Sequence, residues 1–74
     1  MINLILTKGC TTLKNSGVIG ESYLTYQYRL VLTPNNDYLV HVEQHNGYSI
    51  AEGILYEGNN LETANKVYDK YSKQ

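Results

Sequence analysis

The sequence predicts an α+β fold, a four-stranded antiparallel β-meander with one C-terminal α-helix packed on one face. Three observations lead to this prediction: residues 23–32 alternate between two faces, Asn46-Gly47 separates two further alternating runs, and the apolar residues after Asn60 have helical spacing. Period-two alternation indicates a strand, Asn-Gly indicates a hairpin, and spacing of three and four indicates an amphipathic helix. The 74 residues have room for one domain, residues 1–74, with one modest core.

Residues 23–32 are predicted to form the central strand. One of its faces carries Leu24, Tyr26, Tyr28, Leu30 and Leu32, and the other carries Tyr23, Thr25, Gln27, Arg29 and Val31. A strand with one apolar and one more polar face is typical of an antiparallel sheet that packs its apolar face on the core. We therefore expect the helix to cover the first of these two faces.

The segment before the central strand permits two interpretations. Residues 2–7 alternate and predict a first strand, whereas Lys14-Asn15-Ser16-Gly17 has the composition of a turn. The preferred interpretation is a long bent hairpin that pairs residues 2–14 with residues 18–32. The alternative leaves residues 9–21 as an irregular loop, and a loop of that length would itself indicate a functional surface.

Residues 38–43 are predicted to form a third strand, after a turn at Pro34-Asn35-Asn36-Asp37. Keeping the apolar faces in phase sets the register between the second and third strands. The expected neighbours are Leu32 with Tyr38, Leu30 with Val40, Tyr28 with Val42, Arg29 with His41 and Gln27 with Glu43. The first three of these pairs face the helix, and the last two face away from it.

Asn46-Gly47 predicts a two-residue hairpin turn, because both central positions of a type I′ turn need positive φ. The fourth strand then begins at Tyr48. This register pairs His45 with Tyr48, Glu43 with Ile50, His41 with Glu52 and Leu39 with Ile54. The residues turned toward the helix are Ser49, Ala51, Gly53 and Leu55. Most of them are small, which indicates that the helix crosses the sheet closely there.

The helix is predicted over residues 61–72, with Asn59 or Asn60 as its N-cap. Glu62 in the first turn and Lys70 in the last turn suit the helix dipole. The apolar stripe that faces the sheet comprises Leu61, Ala64, Val67, Tyr68 and Tyr71.

No residue pattern in the sequence indicates catalysis, and we expect neither an enzyme nor a cofactor or metal site. His41 and His45 would lie about 13 Å apart along one strand, too far to share a metal ion. His41 opposite Glu52, with Arg29 beside it, is interpreted as a solvated polar group on the sheet and not as an acid–base centre. The single cysteine, Cys10, is interpreted as a small half-buried residue.

Composition restricts the class of partner. The formal net charge is −1, and the six basic and seven acidic residues are spread along the chain. This distribution lacks the basic stripe of a nucleic-acid binder, so we do not expect a nucleic-acid partner. The lone cysteine and the short N-terminal apolar run predict a cytoplasmic protein with no export signal and no membrane partner.

The sheet face away from the helix, called the helix-distal face below, is the predicted partner-binding site. Its predicted members are Tyr23, Arg29, Val31, Leu39, His41, Tyr48, Ile50, Glu52, Ile54 and Tyr56. The remaining tyrosines, Tyr26, Tyr28, Tyr38, Tyr68 and Tyr71, are expected in the core. An apolar centre with a polar rim is typical of protein interfaces.

This pattern predicts a small non-catalytic protein–protein interaction module. Two alternatives stay open. The chain could be a nucleic-acid or small-ligand binder that uses the Tyr-rich sheet face, or a homodimeric structural protein.

The chain is rich in Asn, Tyr, Lys and Ile, has little Ala or Arg, and has no catalytic motif. In these respects it resembles small accessory proteins of AT-rich phages and mobile elements, many of which inhibit host machinery, anti-CRISPR proteins among them. The resemblance implies an inhibitor of a host protein complex. The near-neutral charge then favours a shape-specific protein contact over DNA mimicry.

Overall fold

The computed structural model describes residues 9–21 and 23–73, so the strand predicted at residues 2–7 lies outside the described residues. The described elements are β1 (Thr11–Glu21), β2 (Leu24–Leu32), β3 (Tyr38–His45), β4 (Ile50–Gly58) and α1 (Leu61–Ser72). The strands form one antiparallel sheet in the order β1-β2-β3-β4, with α1 packed against it. The predicted α+β meander with one C-terminal helix is therefore confirmed.

The register between β2 and β3 is the predicted one. Leu30 pairs with Val40 and Arg29 pairs with His41, and the other predicted pairs are also present. The turn between these strands is closed by Thr33, whose Oγ1 accepts a hydrogen bond from the Asp37 backbone N–H at 3.1 Å. This register could be predicted because two long alternating strands joined by a short turn have few registers that keep their apolar faces together.

Residues 9–21 form neither the predicted bent hairpin nor the alternative irregular loop. Strand β1 runs without a turn through Lys14-Asn15-Ser16-Gly17, with register shifts between Thr12 and Lys14 and between Asn15 and Val18. The second shift is a β-bulge in which a side chain replaces a backbone hydrogen-bond acceptor. Ser16 Oγ accepts a hydrogen bond from the Tyr28 backbone N–H at 3.0 Å. The turn-like composition therefore marks a bulge inside a strand.

The β3–β4 connection is longer than predicted. Residues 46–49 form a four-residue loop, and the strand pairing begins with His45 and Ile50 instead of His45 and Tyr48. The loop is held by Asn46, whose side-chain oxygen accepts a hydrogen bond from the Ser49 backbone N–H at 3.0 Å. The other three predicted pairings are also wrong. The longer loop pairs Glu43 with Glu52 and His41 with Ile54, and a further register shift in β4 pairs Leu39 with Glu57.

A β-bulge in β4 changes the face of Tyr56. The register shifts between Val40 and His41, which pair with Tyr56 and Ile54, so that Leu55 is the extra residue. Because one extra residue reverses the alternation, Tyr56 joins Leu55 on the helix side, where both pack against the core. The placement of Tyr56 on the helix-distal face was therefore wrong.

Helix α1 begins as predicted, but Leu61 of its predicted sheet-facing stripe is exposed, as is Leu24 of the strand face expected beneath it. Asn60 is the N-cap, and its side chain accepts a hydrogen bond from the Thr63 backbone N–H at 3.1 Å. The helix contacts β2, β3 and β4. The buried residues of the core cluster are Tyr28, Leu30, Val40, Ala64 and Tyr68.

Gly53 is not in close contact with the helix, contrary to the expectation from its size. A Cβ atom added to Gly53 would have one neighbour within 4 Å, Val42 Cγ1 at 3.4 Å. Gly53 instead lines a cavity of about 280 Å³ beside the end of the helix. The other residues that line this cavity are Tyr26, Tyr28, Val42, Gln44, Ala51, Glu52, Leu55 and Tyr71.

Candidate functional site

The central part of the helix-distal face is buried. Val31 and His41 have no exposed surface, and Leu39 and Glu43 are each 7% exposed. The expectation that this face is exposed around Val31, Leu39 and His41 is therefore wrong. The carboxylates on this face are paired with imidazoles, which offsets much of the cost of removing these groups from water.

Two carboxylate–imidazole pairs lie on this face. His41 Nε2 is 2.8 Å from Glu52 Oε1, and His45 Nε2 is 2.9 Å from Glu43 Oε1. Arg29 Nη1 lies 3.8 Å from Glu43 Oε2, which makes an ion pair without hydrogen-bond geometry. The predicted neighbourhood of Arg29, His41 and Glu52 is thus present, but as a buried network and not as a solvated surface.

The His41–Glu52 pair has the chemistry of an acid–base dyad, but its two side chains are almost completely buried. The Glu52 side chain is 8% exposed and that of His41 is fully buried. Among the described residues no group hydrogen-bonds to His41 Nδ1. A general base must reach the proton that it abstracts, so this arrangement supports a structural role. Across residues 9–21 and 23–73, no three His, Cys, Asp or Glu side chains converge to hold a metal ion.

The five tyrosines predicted for the core are found there. Tyr28 stacks between Tyr26 and Tyr71, with ring centroids 6.3 Å apart in each pair. Burial raises the pKa of Tyr28, and the nearby Tyr26 and Tyr71 hydroxyls add to the rise. Burial also raises the pKa of Tyr68, with a further contribution from Asp69. These rings serve packing, as Tyr38 does at the other end of β3.

A different arrangement is found at one end of the sheet. In a meander the β1–β2 and β3–β4 connections lie at the same end, and here they touch: a Cβ added to Gly47 would be 3.4 Å from Tyr23 Cβ. Tyr48 is fully exposed in its loop and Tyr23 is 72% exposed. Leu24 and Ile50, also exposed, begin the adjoining strands. We call Tyr23, Leu24, Gly47, Tyr48 and Ile50 the tyrosine tip.

The tyrosine tip has concave surface on both sides of its rings. One crevice of about 410 Å³ is lined by Tyr23, His45, Gly47, Tyr48, Ser49 and Ile50. A second crevice of about 490 Å³ is lined by Tyr23, Asn46, Gly47 and Tyr48. The tip therefore offers two projecting aromatic rings and adjacent concave surface, with His45 as the one titratable side chain among these lining residues besides the tyrosines.

Three of the ten predicted site residues come together at the tyrosine tip: Tyr23, Tyr48 and Ile50. Ile54 is 37% exposed and lies further along β4, opposite His41. Gly47, predicted only as a turn residue, is also part of this tip. The signal was available, because a meander brings these two turns to one end and the absence of a side chain at Gly47 lets Tyr23 approach.

The fold and the site define a class: a small α+β meander domain with an exposed aromatic tip. No protein-family model matches the chain, and neither a characterised protein nor a solved structure is significantly similar to it. Within the described ranges, α1 is too short to cross a membrane.

Proposed function

We propose that this chain is a non-catalytic protein-binding module that contacts its partner protein through the tyrosine tip. One observation carries the proposal: Tyr23 and Tyr48 project side by side at the end of the sheet, whereas the other tyrosines pack into the core. Tyrosine supplies a large, rigid contact area with a hydroxyl for hydrogen bonding, and it is enriched among the residues that dominate binding energy.

The remaining surfaces support the same choice. The helix side of the sheet is occupied by α1, and the centre of the helix-distal face is buried. A partner that fits the tip is a protein with a neutral, largely apolar pocket that can accept the Tyr48 ring. This partner follows from complementarity, because a strongly charged pocket would gain no ion pair with Tyr23, Leu24 or Ile50.

The compositional resemblance to phage and mobile-element accessory proteins supports a more specific form of this proposal. In that form the chain is a cytoplasmic inhibitor that blocks a host protein complex by occupying one of its surfaces. The formal net charge of −1 supports a contact based on shape, because a mimic of DNA would need a dense array of acidic groups.

The test compares Tyr48→Ala with a matched control, Leu61→Ala, which removes an exposed apolar side chain at the opposite end of the sheet. Both variants and the parent chain are used to capture partners from host lysate, and the captured protein is then purified for titration calorimetry. We expect Leu61→Ala to bind like the parent. We expect Tyr48→Ala to bind about 2 kcal/mol more weakly, roughly thirtyfold in Kd, with an unchanged melting temperature.

Two results would contradict this proposal. The first is a partner that binds the Tyr23→Ala, Tyr48→Ala double variant with the parent affinity. The second is a parent chain that sediments as a dimer at micromolar concentration and dissociates on Tyr48→Ala, because the tip would then be a self-association surface. Capture of single-stranded nucleic acid instead of protein would favour the aromatic-stacking alternative.

A further inference from the structure

The loop that carries Tyr48 is closed by hydrogen bonds to the side-chain amide of Asn46. Its Oδ1 accepts hydrogen bonds from the Ser49 backbone N–H and the Ser49 hydroxyl, both at 3.0 Å. It also accepts a longer one from the Tyr48 backbone N–H at 3.4 Å. Asn46 and Gly47 are both exposed to solvent. Three donors therefore converge on one carbonyl oxygen in a position that water can reach.

Donors that converge on a carbonyl oxygen make its carbon more electrophilic, because they stabilise the negative charge that develops on the oxygen when a nucleophile attacks. The nearest chain nucleophile to the Asn46 side-chain carbon in sequence is the backbone nitrogen of Gly47. Gly47 has φ +95° and no Cβ to hinder this approach. Among the described residues, none accepts a hydrogen bond from the Gly47 N–H.

We propose that Asn46-Gly47 is a self-modification site at which the Asn46 amide is converted to a carboxylate. The Gly47 nitrogen loses its proton to solvent and forms a bond to Asn46 Cγ, and the carbonyl electron pair moves onto Oδ1. Collapse of this intermediate breaks the bond from Cγ to Nδ2, which leaves as ammonia after it takes up a proton. Water then opens the resulting cyclic imide, so one water is consumed, one ammonia is released, and nothing is oxidised or reduced.

Hydrolysis of the imide has two products. Opening at the side-chain carbon gives aspartate, and opening at the backbone carbon gives isoaspartate, in which the main chain runs through the former side chain. Either product places a negative charge beside Tyr48. The modification stands without the proposed function; only its consequence for partner binding rests on that proposal, because a new charge at an apolar contact weakens binding.

Asn15 provides a comparison within the same molecule. Its Oδ1 also accepts two hydrogen bonds, from the Gly17 backbone N–H and from Gln27 Nε2, each at 2.9 Å. Asn15 is followed by Ser16, which carries a side chain and lies in the bulge of strand β1. If hydrogen bonds to the side-chain oxygen were sufficient for conversion, both Asn15 and Asn46 would react. The proposal also requires a following glycine in an exposed loop, so it predicts that only Asn46 reacts readily.

The test incubates the purified full chain at neutral pH and follows each asparagine by protease digestion and mass spectrometry. We expect Asn46 to be converted to aspartate and isoaspartate well before Asn15. Removal of one donor by Ser49→Ala is expected to slow conversion roughly 2- to 13-fold, the equivalent of one ordinary hydrogen bond. Circular dichroism checks that the variant is folded.

The same chain in urea is the decisive control, because unfolding removes the converging donors and leaves the sequence unchanged. The proposal predicts faster conversion of Asn46 in the native chain than in urea. An equal or faster rate in urea would overturn it, as would an unchanged rate in folded Ser49→Ala. An Asn46→Asp variant, assayed against the partner, reports separately whether the product affects binding.

Discussion

Substitution of Gly53 tests whether the helix crosses the sheet closely at this residue. The sequence predicts such a close crossing, whereas the structure leaves space at Gly53. The residue lies within β4, pairs with Val42 and has no positive φ. A Cβ atom there would make ordinary van der Waals contact with Val42 Cγ1 at 3.4 Å and would line the cavity of about 280 Å³. Gly53→Ala should therefore raise the free energy of unfolding, because it restricts the unfolded chain without a steric cost.

The expected gain for Gly53→Ala is about 0.4–1 kcal/mol. In a domain of this size such a change raises Tm by roughly 2–8 °C.

Two other glycines are matched comparisons. Gly17 has φ +74° and open space around its Cβ position, so Gly17→Ala should cost only the left-handed backbone penalty of about 1–2 kcal/mol. At Gly20, φ is +126° and a Cβ would lie 2.6 Å from the Leu24 carbonyl oxygen. Gly20→Ala should cost roughly 3 kcal/mol or more.

The assay is equilibrium unfolding in urea with thermal melts of the parent and the three variants. The order of stability should be Gly53→Ala, parent, Gly17→Ala, Gly20→Ala. Loss of more than about 1 kcal/mol in Gly53→Ala would show that the helix or another element crosses at this residue, as expected for overpacking. It would refute the β4 register described above, because that register turns Gly53 toward the cavity.

Two further predictions concern the ionisable groups. Glu52→Ala should destabilise the fold by about 1–3 kcal/mol in urea unfolding, because it leaves buried His41 Nε2 without its partner at 2.8 Å. Glu52→Gln keeps an acceptor and should destabilise the fold less. Equal stability of Glu52→Ala and the parent would contradict this prediction. Stability should fall as pH rises above about 10, because burial raises the pKa of Tyr28 and Tyr68 above 10.0 and the unfolded chain ionises first. Below pH 10 the contribution of these two tyrosines to the free energy of unfolding is constant. The double variant Tyr28→Phe, Tyr68→Phe should lose less stability than the parent at alkaline pH. An equal loss of stability in the double variant would show that these two tyrosines are not the cause.

The parts of the fold that could be predicted are those in which a long pattern and a short turn agree. Alternation through β2 and β3 determined both the apolar face and the register, down to Arg29 beside His41. The helix was equally well specified, because an asparagine cap precedes a regular apolar stripe. In both cases several independent preferences favour the same local structure, which is why few alternatives remained.

The errors arose where a polar segment serves a strand instead of a turn. Ser16 and Gly17 resemble a turn in composition, but in β1 they form a bulge in which the Ser16 hydroxyl takes the place of a backbone acceptor. Asn46-Gly47 predicts a two-residue hairpin turn, but the Asn46 side chain closes a four-residue loop instead. A side chain that replaces a backbone hydrogen bond is not visible in hydrophobic periodicity.

The helix-distal face shows a second limit of sequence patterns. Alternation correctly placed Arg29, His41 and Glu43 on one face, and their charges then suggested that this face meets solvent. The structure buries His41 completely and pairs it with Glu52. Periodicity assigns residues to a face, whereas exposure depends on whether polar groups find partners, and cross-strand partners depend on the register.

The strand register also determines which tyrosines are exposed. One bulge and one loop control the outcome: the extra residue Leu55 turns Tyr56 into the core, and the long β3–β4 loop leaves Tyr48 unpaired and fully exposed beside Tyr23. If the two-residue turn had formed, Tyr48 would pair with His45 and its ring would lie along the sheet. A variant that shortens this loop should therefore remove the projecting ring while keeping every tyrosine in the sequence. Loss of the proposed partner binding in this variant would show that binding requires the tip and not only the tyrosine content.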